Sequence, residues 1–502
     1  MARHNTYDLI CIGSGPAGQH AAIQAAKLGK KTAVIEKQQR FGGACLETGT
    51  IPSKTFREAV RRMYSKPGLE MGDAMSYASR GRPSMSQLIP HVDRVIEREI
   101  SVVHDVLSRN DVDLVQGHAS FAEPHTLLVE SLEGHRILTA DHILIAVGTR
   151  PSNPSNIVPD GQTVITSDQV MGLTALPRTM AVVGAGVIGI EYASMFGALG
   201  IQVTVIDQRP RPLEFLDHEI VDELIHQMRN NDVTFRCGES VERIDIVQTP
   251  KRQGLLLLES SKHIVADVIL FCVGRVGATD TLNLKATGLQ ADVRGRLQVD
   301  DTYRTEVDHI YAAGDVIGYP ALAATSSEQG RLAACHMFGF ATHPMVDYFP
   351  VGIYAIPEIS MVGATEEELT RDKIPYETGV ARYKEIARGT ILGDDSGLFK
   401  MLFHREDGRL LGCHCIGSGA TELIHVGQAV LGLGGGLEYF LKTVFNYPTL
   451  AECYKVAAHN AANKLALLRH ATGAIIPKAV TESGEILRSA FIADGASILQ
   501  ED

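Results

Sequence analysis

Two runs of glycine, each followed at a fixed distance by a carboxylate, are the parts of this sequence best suited to holding a charged ligand. The first is Gly13-Ser14-Gly15-Pro16-Ala17-Gly18 with Glu36; the second is Gly184-Ala185-Gly186-Val187-Ile188-Gly189 with Asp207. Glu36 and Asp207 each fall 23 positions after the first glycine of their run. In such a run the first glycine makes a tight turn, the second lets a pyrophosphate approach the backbone, and the third lets helix and strand pack closely. The phosphates then meet free N–H groups at the positive end of a helix dipole. The carboxylate accepts hydrogen bonds from an adenosine ribose. A single GxGxxG is weak evidence. Two copies of the whole pattern at equal spacing point to two dinucleotide sites rather than two turns that bind nothing.

The elements that must position these groups read from the flanking residues. Leu9–Ile12 and Met180–Val183 are apolar strands leading into the glycines, and Thr32–Glu36 and Val203–Asp207 are the strands that end in the carboxylates. From Met180 to Ile201 the only charge is Glu191, which imitates a membrane span in length. Gly184, Gly186 and Gly189 favour a buried parallel strand, a turn and a helix instead. Ile143–Thr149 and Val268–Arg275 are further strands ending in glycine, suited to returning the chain to its dinucleotide unit. Ile310–Asp315 is a strand ending in Gly-Asp, where a carboxylate could hold the hydroxyls of a long ligand. Residues 85–109 read as a helix with no breaker inside. After about residue 346 alternating strands and amphipathic helices suggest a packing or interface domain.

The chain of 502 residues is too long for one core. Its 47 Lys+Arg against 59 Asp+Glu give a net charge of −12, and no basic run appears, which argues against a nucleic-acid partner. The eight cysteines are scattered, as expected of reduced thiols in a cytoplasmic protein, and no secretory signal is read at the N-terminus. Cys413-His414-Cys415 invites a metal reading, but it lies in a strand-like run without a second ligand pair of suitable spacing, so no metal site is expected.

With these motifs in hand, the sequence resembles the flavoprotein disulfide reductases that carry two dinucleotide-binding domains. The likeness runs from about residue 6 to 468 and includes Gly42-Gly43-Ala44-Cys45, Ile51-Pro52-Ser53-Lys54, Gly314-Asp315 and Phe445–Glu452. It implies an α/β fold with two Rossmann-like domains and a C-terminal α+β interface domain. The implied divisions are FAD-binding residues 1–155 and 276–345, an NAD(P)-binding domain over 156–275, a dimerisation domain over 346–472, and a tail, 473–502, of no assigned role. Carried over residue by residue, Gly13, Gly15, Gly18, Glu36, Gly43, Cys45, Thr50, Lys54, Ala119, Gly148 and Asp315 would form the FAD site. Gly184, Gly186, Gly189, Asp207 and Gly274 would hold the nicotinamide nucleotide, NAD or NADP. The resemblance also implies a homodimer, with Tyr447 and Glu452 approaching the flavin of the other subunit.

The departures from that family carry the functional expectation. A disulfide reductase needs two thiols at C-x4-C, whose exchange chemistry shuttles two electrons. Here Cys45 is followed at that spacing by Thr50. The family's histidine, paired with a glutamate as proton shuttle, is replaced by Tyr447, a poor acid–base group near pH 7, while Glu452 remains. This double departure resembles one subgroup, the soluble pyridine nucleotide transhydrogenases. It implies FAD-mediated hydride transfer between NADPH and NAD+, reversible and without a dithiol centre. Lys54 and Glu191 would act near the flavin as an ammonium and the carboxylate that holds it. Asp207 suits a ribose 2′-hydroxyl, whereas Arg209 and Arg211 could meet a 2′-phosphate; the alternative is that they belong to a solvated turn. An NAD(P)H diaphorase or oxidase and a non-catalytic FAD-binding scaffold are the competing classes.

Overall fold

The computed structural model describes residues 5–64, 84–152, 158–248, 251–346 and 348–472. The proposed tail, 473–502, lies outside the described residues. The chain divides into two compact units: residues up to Met361 together with Ile416–Glu422, and Val362–Cys415 together with the chain from Leu423 onward.

The first unit holds two parallel-centred sheets, one for each glycine run. In the first, strands run in the order Asp113–Gln116, Thr32–Glu36, Thr6–Ile12, Gly134–Ile145, Thr126–Ser131, His118–Glu123, and Ile310–Ala312 also pairs with Gly134–Ile145. The second has the order Val233–Cys237, Gln202–Asp207, Thr179–Val183, Val268–Phe271, Val164–Thr166. In both, the strand entering the glycines sits between the carboxylate-bearing strand and a later returning strand. That placement puts the glycine turn at the carboxyl ends of neighbouring strands, where open α/β sheets bind ligands. The segment that imitated a membrane span resolves into strand Thr179–Val183 and helix Val187–Ala198, the latter almost wholly buried. Among the described residues no helix is long and apolar enough to cross a membrane.

Met85–Ser108 forms the expected helix, but Pro90 lies inside it, so the expectation that it holds no breaker is corrected. Pro90 falls in the second turn, where its missing N–H gives up one intrahelical bond without ending the helix.

In the second unit, strands Tyr376–Arg382, Leu398–His404 and Leu410–Ile416 are neighbours in that order, and helix Glu452–Thr472 packs on the first two. Cys413, His414 and Cys415 are all buried in the last strand. His414 Nε2 lies 3.0 Å from the Ala364 carbonyl, and the Cys413 sulfur is 3.9 Å from the Tyr454 hydroxyl. These are core contacts. All eight cysteines are free.

Candidate functional site: two dinucleotide loops and a shared lysine

The two glycine loops have the same construction. Gly13 and Gly184 have φ of 106° and 107°, and a Cβ on either would lie 2.4 Å from the carbonyl oxygen of Ala146 or Cys272. The third glycines are tighter still: a Cβ on Gly18 would sit 2.0 Å from the Gly13 carbonyl oxygen, and one on Gly189 would sit 1.9 Å from that of Gly184. The middle glycines differ from both. A Cβ on Gly15 meets nothing within 4 Å, and one on Gly186 meets only Arg209 Nη2 at 4.0 Å. The open faces of Gly15 and Gly186 begin the helices Pro16–Lys27 and Val187–Ala198. Space beside the backbone at a helix N-terminus is what a pyrophosphate requires, so both loops fit a dinucleotide.

The carboxylates close the loops from the neighbouring strand. Glu36 Oε2 accepts from the Ser14 N–H at 3.1 Å and from its hydroxyl at 2.6 Å, and Oε1 accepts from the Gln38 N–H at 2.9 Å. Asp207 Oδ2 accepts from the Ala185 N–H at 2.5 Å and from Arg209 Nη2 at 2.7 Å. Its Oδ1 accepts from Arg209 N and Nε at 2.8 and 2.9 Å. Burial alone would push the Asp207 carboxyl up. The Arg209 side chain and the N–H groups of Ala185 and Arg209 outweigh it and hold the carboxyl below its ordinary value.

Gly184, Gly186, Asp207, Arg209, Gly274 and Arg275 line a cleft of about 610 Å³. Arg211, expected beside Arg209, does not line it; its guanidinium is paired with Asp222 on helix His218–Asn230. The sequence-level grouping of the two arginines is therefore corrected: Pro210 separates side chains that diverge.

On the other side, Gly43 is drawn against the first loop, since a Cβ there would lie 2.7 Å from Gly15 Cα. Gly148 has φ of 62° and open space beside it. The adjoining Thr149 hydroxyl donates to Asp315 Oδ2 at 3.3 Å and accepts from Arg275 Nε at 2.9 Å. Sequence reasoning missed Thr149, although its place directly after a strand-ending glycine marks a loop at the carboxyl end of the sheet. The Ala119 side chain is buried in the apolar core with Tyr7, Ile12 and Ile35, which leaves its backbone as the part that could face a ligand.

Cys45 lies on the short helix Gly43–Glu47, and Thr50 opens the next helix, Thr50–Tyr64. Burial pushes the Cys45 thiol up, while Thr50 and Lys54 oppose that shift in part and Asp315 adds to it. Lys54 Nζ lies 2.8 and 3.0 Å from the two carboxylate oxygens of Glu191, a residue 137 positions away in sequence and 3% exposed. Tyr447 is 71% exposed, whereas Glu452 Oε2 is buried without a hydrogen-bond partner among the described residues. The tyrosine and the glutamate do not form a pair.

The sequence matches the pyridine nucleotide-disulphide oxidoreductase pattern over residues 7–330 and the dimerisation domain of that family over 349–458. A soluble pyridine nucleotide transhydrogenase from Mycobacterium tuberculosis is 51% identical over 92% of this chain and 98% of its own length. One from a Marinomonas species is 43% identical over 91% and 99%. Among solved structures, LpdA from M. tuberculosis has a TM-score of 0.81 at 25% identity, covering 90% of this chain and 99% of that one. The flavoprotein disulfide reductase RclA from Escherichia coli shares the fold, with a TM-score of 0.81 at 24% identity and the same coverage. The two loops, the cleft between strands and these matches agree: the chain belongs to the pyridine nucleotide-disulphide oxidoreductase family, whose members bind FAD and use NAD(P)H.

Proposed function

We propose that this protein is a soluble FAD-dependent transhydrogenase that moves a hydride reversibly between NADPH and NAD+. The observation that carries the reading is the residue at the second position of the C-x4-C spacing, Thr50 after Cys45. A hydroxyl occupies the place where thiol–disulfide exchange needs a second thiol, and burial pushes the Cys45 thiol up, toward its protonated form. The names and extent of the transhydrogenase relatives support the same reading.

Bound flavin supplies a two-electron hydride acceptor and donor. The chain's own residues do the rest. Gly13, Gly15, Gly18 and Glu36 hold the adenosine and pyrophosphate of FAD, with Gly43, Gly148 and Asp315 along its length. Gly184, Gly186, Gly189, Asp207 and Gly274 seat the nicotinamide nucleotide in the cleft, so orientation of the two ligands supplies most of the rate. Lys54, held by Glu191, presents a positive charge that offsets the extra electron density of a two-electron transfer. A hydride needs no proton carrier, which accords with an exposed Tyr447 and a Glu452 that does not pair with it. The two nucleotides differ only at the adenosine 2′ position, so pool ratios set the direction, about 1.4 kcal/mol per tenfold ratio. The active unit is a homodimer built through residues 349–458, and eight free cysteines fit the cytoplasm.

Anaerobic stopped-flow absorbance tests the reading. NADPH should bleach the flavin band and NAD+ should restore it at a rate matching turnover. Restoration by oxygen or quinone alone would replace transhydrogenase with oxidase or diaphorase, and no bleaching by either nucleotide would leave a binding scaffold.

A further inference from the structure

Glu191 and Lys54 are not a simple pair. The segment Gly352–Glu358 is fastened beside them by side chains from two helices. From helix Val187–Ala198, Glu191 Oε1 accepts the Tyr354 N–H at 2.8 Å, and the Ser194 hydroxyl accepts the Ile356 N–H at 2.9 Å. From helix Thr50–Tyr64, the buried Arg57 donates Nε to the Ala355 carbonyl at 2.9 Å and pairs through Nη2 with Glu358 at 3.3 Å. Four groups of this segment, on Tyr354, Ala355, Ile356 and Glu358, are thus held by side chains of the helices that carry Lys54 and Glu191.

That fastening fixes one ring. The Lys54 ammonium lies 5.0 Å from the centroid of Tyr354, within range of a cation–π contact. Lys54 has four rotatable bonds, and its remaining contact is a long one, 3.4 Å to the Ser53 hydroxyl. Glu191 alone fixes the distance of the ammonium from one carboxylate but not its direction. A ring face on a second side removes that freedom at little entropic cost, because the ring itself has only two rotors.

We propose that Tyr354 is a positioning residue: its ring face and its backbone N–H hold the Lys54–Glu191 pair in one geometry, and so set how strongly the ammonium favours two-electron reduction of the bound flavin. This rests on the function proposed above, which places Lys54 beside FAD. The contact itself does not depend on that placement, so two measurements separate the two ideas.

The first uses the full-length protein without regard to flavin. Amine labelling by trinitrobenzenesulfonate, read at Lys54 by mass spectrometry, should be several-fold faster in Tyr354→Leu than in wild type and unchanged in Tyr354→Phe. Equal rates in wild type and Tyr354→Leu would overturn the proposal. The second is the two-electron midpoint potential of the flavin in the holoprotein, read by equilibration with reference dyes. Tyr354→Leu should shift the equilibrium against reduction about three- to tenfold, roughly 15–30 mV more negative, with Tyr354→Phe matching wild type. Phenylalanines of increasing fluorination at position 354 keep the shape of the ring and weaken its negative face, so they preserve the fold where leucine does not. A potential falling stepwise along that series supports the proposal; a flat series, or an equal fall in Tyr354→Phe, overturns it. Faster Lys54 labelling in a chain that takes up no flavin would uphold the contact and overturn the function.

Discussion

The two dinucleotide loops share their backbone and differ in what stands against the acidic residue. In each, the first glycine N–H donates to the strand ahead of the carboxylate, Gly13 to Ile35 and Gly184 to Ile206, both at 2.8 Å. The clash distances at the first and third glycines agree within a tenth of an ångström. Then they diverge. Glu36 is met by uncharged donors, and the Ser14 hydroxyl that binds it also accepts from the Gly42 N–H at 2.7 Å, tying Gly42–Gly43 over the loop. At the second loop the corresponding residue is Ala185, which has no hydroxyl to recruit a cover, and Asp207 is met by the guanidinium of Arg209 at the wall of an open cleft. A covered loop with neutral donors fits a cofactor that stays. An open loop where a carboxylate and a cation lie side by side fits nucleotides that exchange and differ by a phosphate.

The largest expected effect tests whether the shared backbone serves two separate ligands. Gly18→Ala and Gly189→Ala each force a methyl to within about 2 Å of a carbonyl oxygen, so overpacking of up to about 3 kcal/mol, near a hundredfold, follows at either site. Gly18→Ala should give colourless protein that regains FAD poorly. Gly189→Ala should remain yellow, with hydride transfer from both NADH and NADPH depressed about a hundredfold. Loss of flavin from both variants by absorbance would mean that the loops are not independent sites.

Arg209→Ala sharpens the difference between the loops. Removing the guanidinium takes away charge-assisted contacts of about 1.5–3 kcal/mol with a 2′-phosphate, so the KM for NADPH should rise about 10- to 100-fold. The same change frees Asp207 from the two hydrogen bonds made by the guanidinium and leaves the one from the backbone N–H of residue 209. A carboxylate relieved in this way remains able to accept from a 2′-hydroxyl, and the KM for NADH should change less than about threefold. Steady-state kinetics with both nucleotides decides it; parallel losses would make Arg209 part of the loop's structure.

How much of this was legible in sequence depends on how local its cause is. The glycines are legible because the constraint is covalent geometry within a few residues, and the carboxylates because a parallel strand returns them at a set spacing. The fold class followed from repeating that unit. Lys54 and Glu191 meet across 137 positions, and no local pattern announces them; the family likeness alone brought them together. Tyr354 and Thr149 were missed for the same reason, since each acts through a partner on a distant element. Ala119 was placed by likeness in the flavin site, and strand alternation sends its side chain into the core, so a contact there would fall to its backbone.

Arg211 gives the smallest expected effect and the sharpest limit on the comparison. By sequence it stands two residues from Arg209 and should answer the same phosphate. Its Nη2 pairs instead with Asp222, on the helix that follows, and its Nε is buried without a partner among the described residues. An exposed pair of this kind contributes little, and truncating it should leave stability within about 0.5 kcal/mol. Arg211→Ala should therefore change the KM for NADPH and for NADH by less than about twofold, and adding it to Arg209→Ala should change the single variant's values by no more. A tenfold, NADPH-specific rise in Arg211→Ala would show that the guanidinium leaves Asp222 for the phosphate. The charged wall of the second cleft would then be two arginines deep, and the contrast with Glu36 and its neutral donors would be larger than one residue makes it.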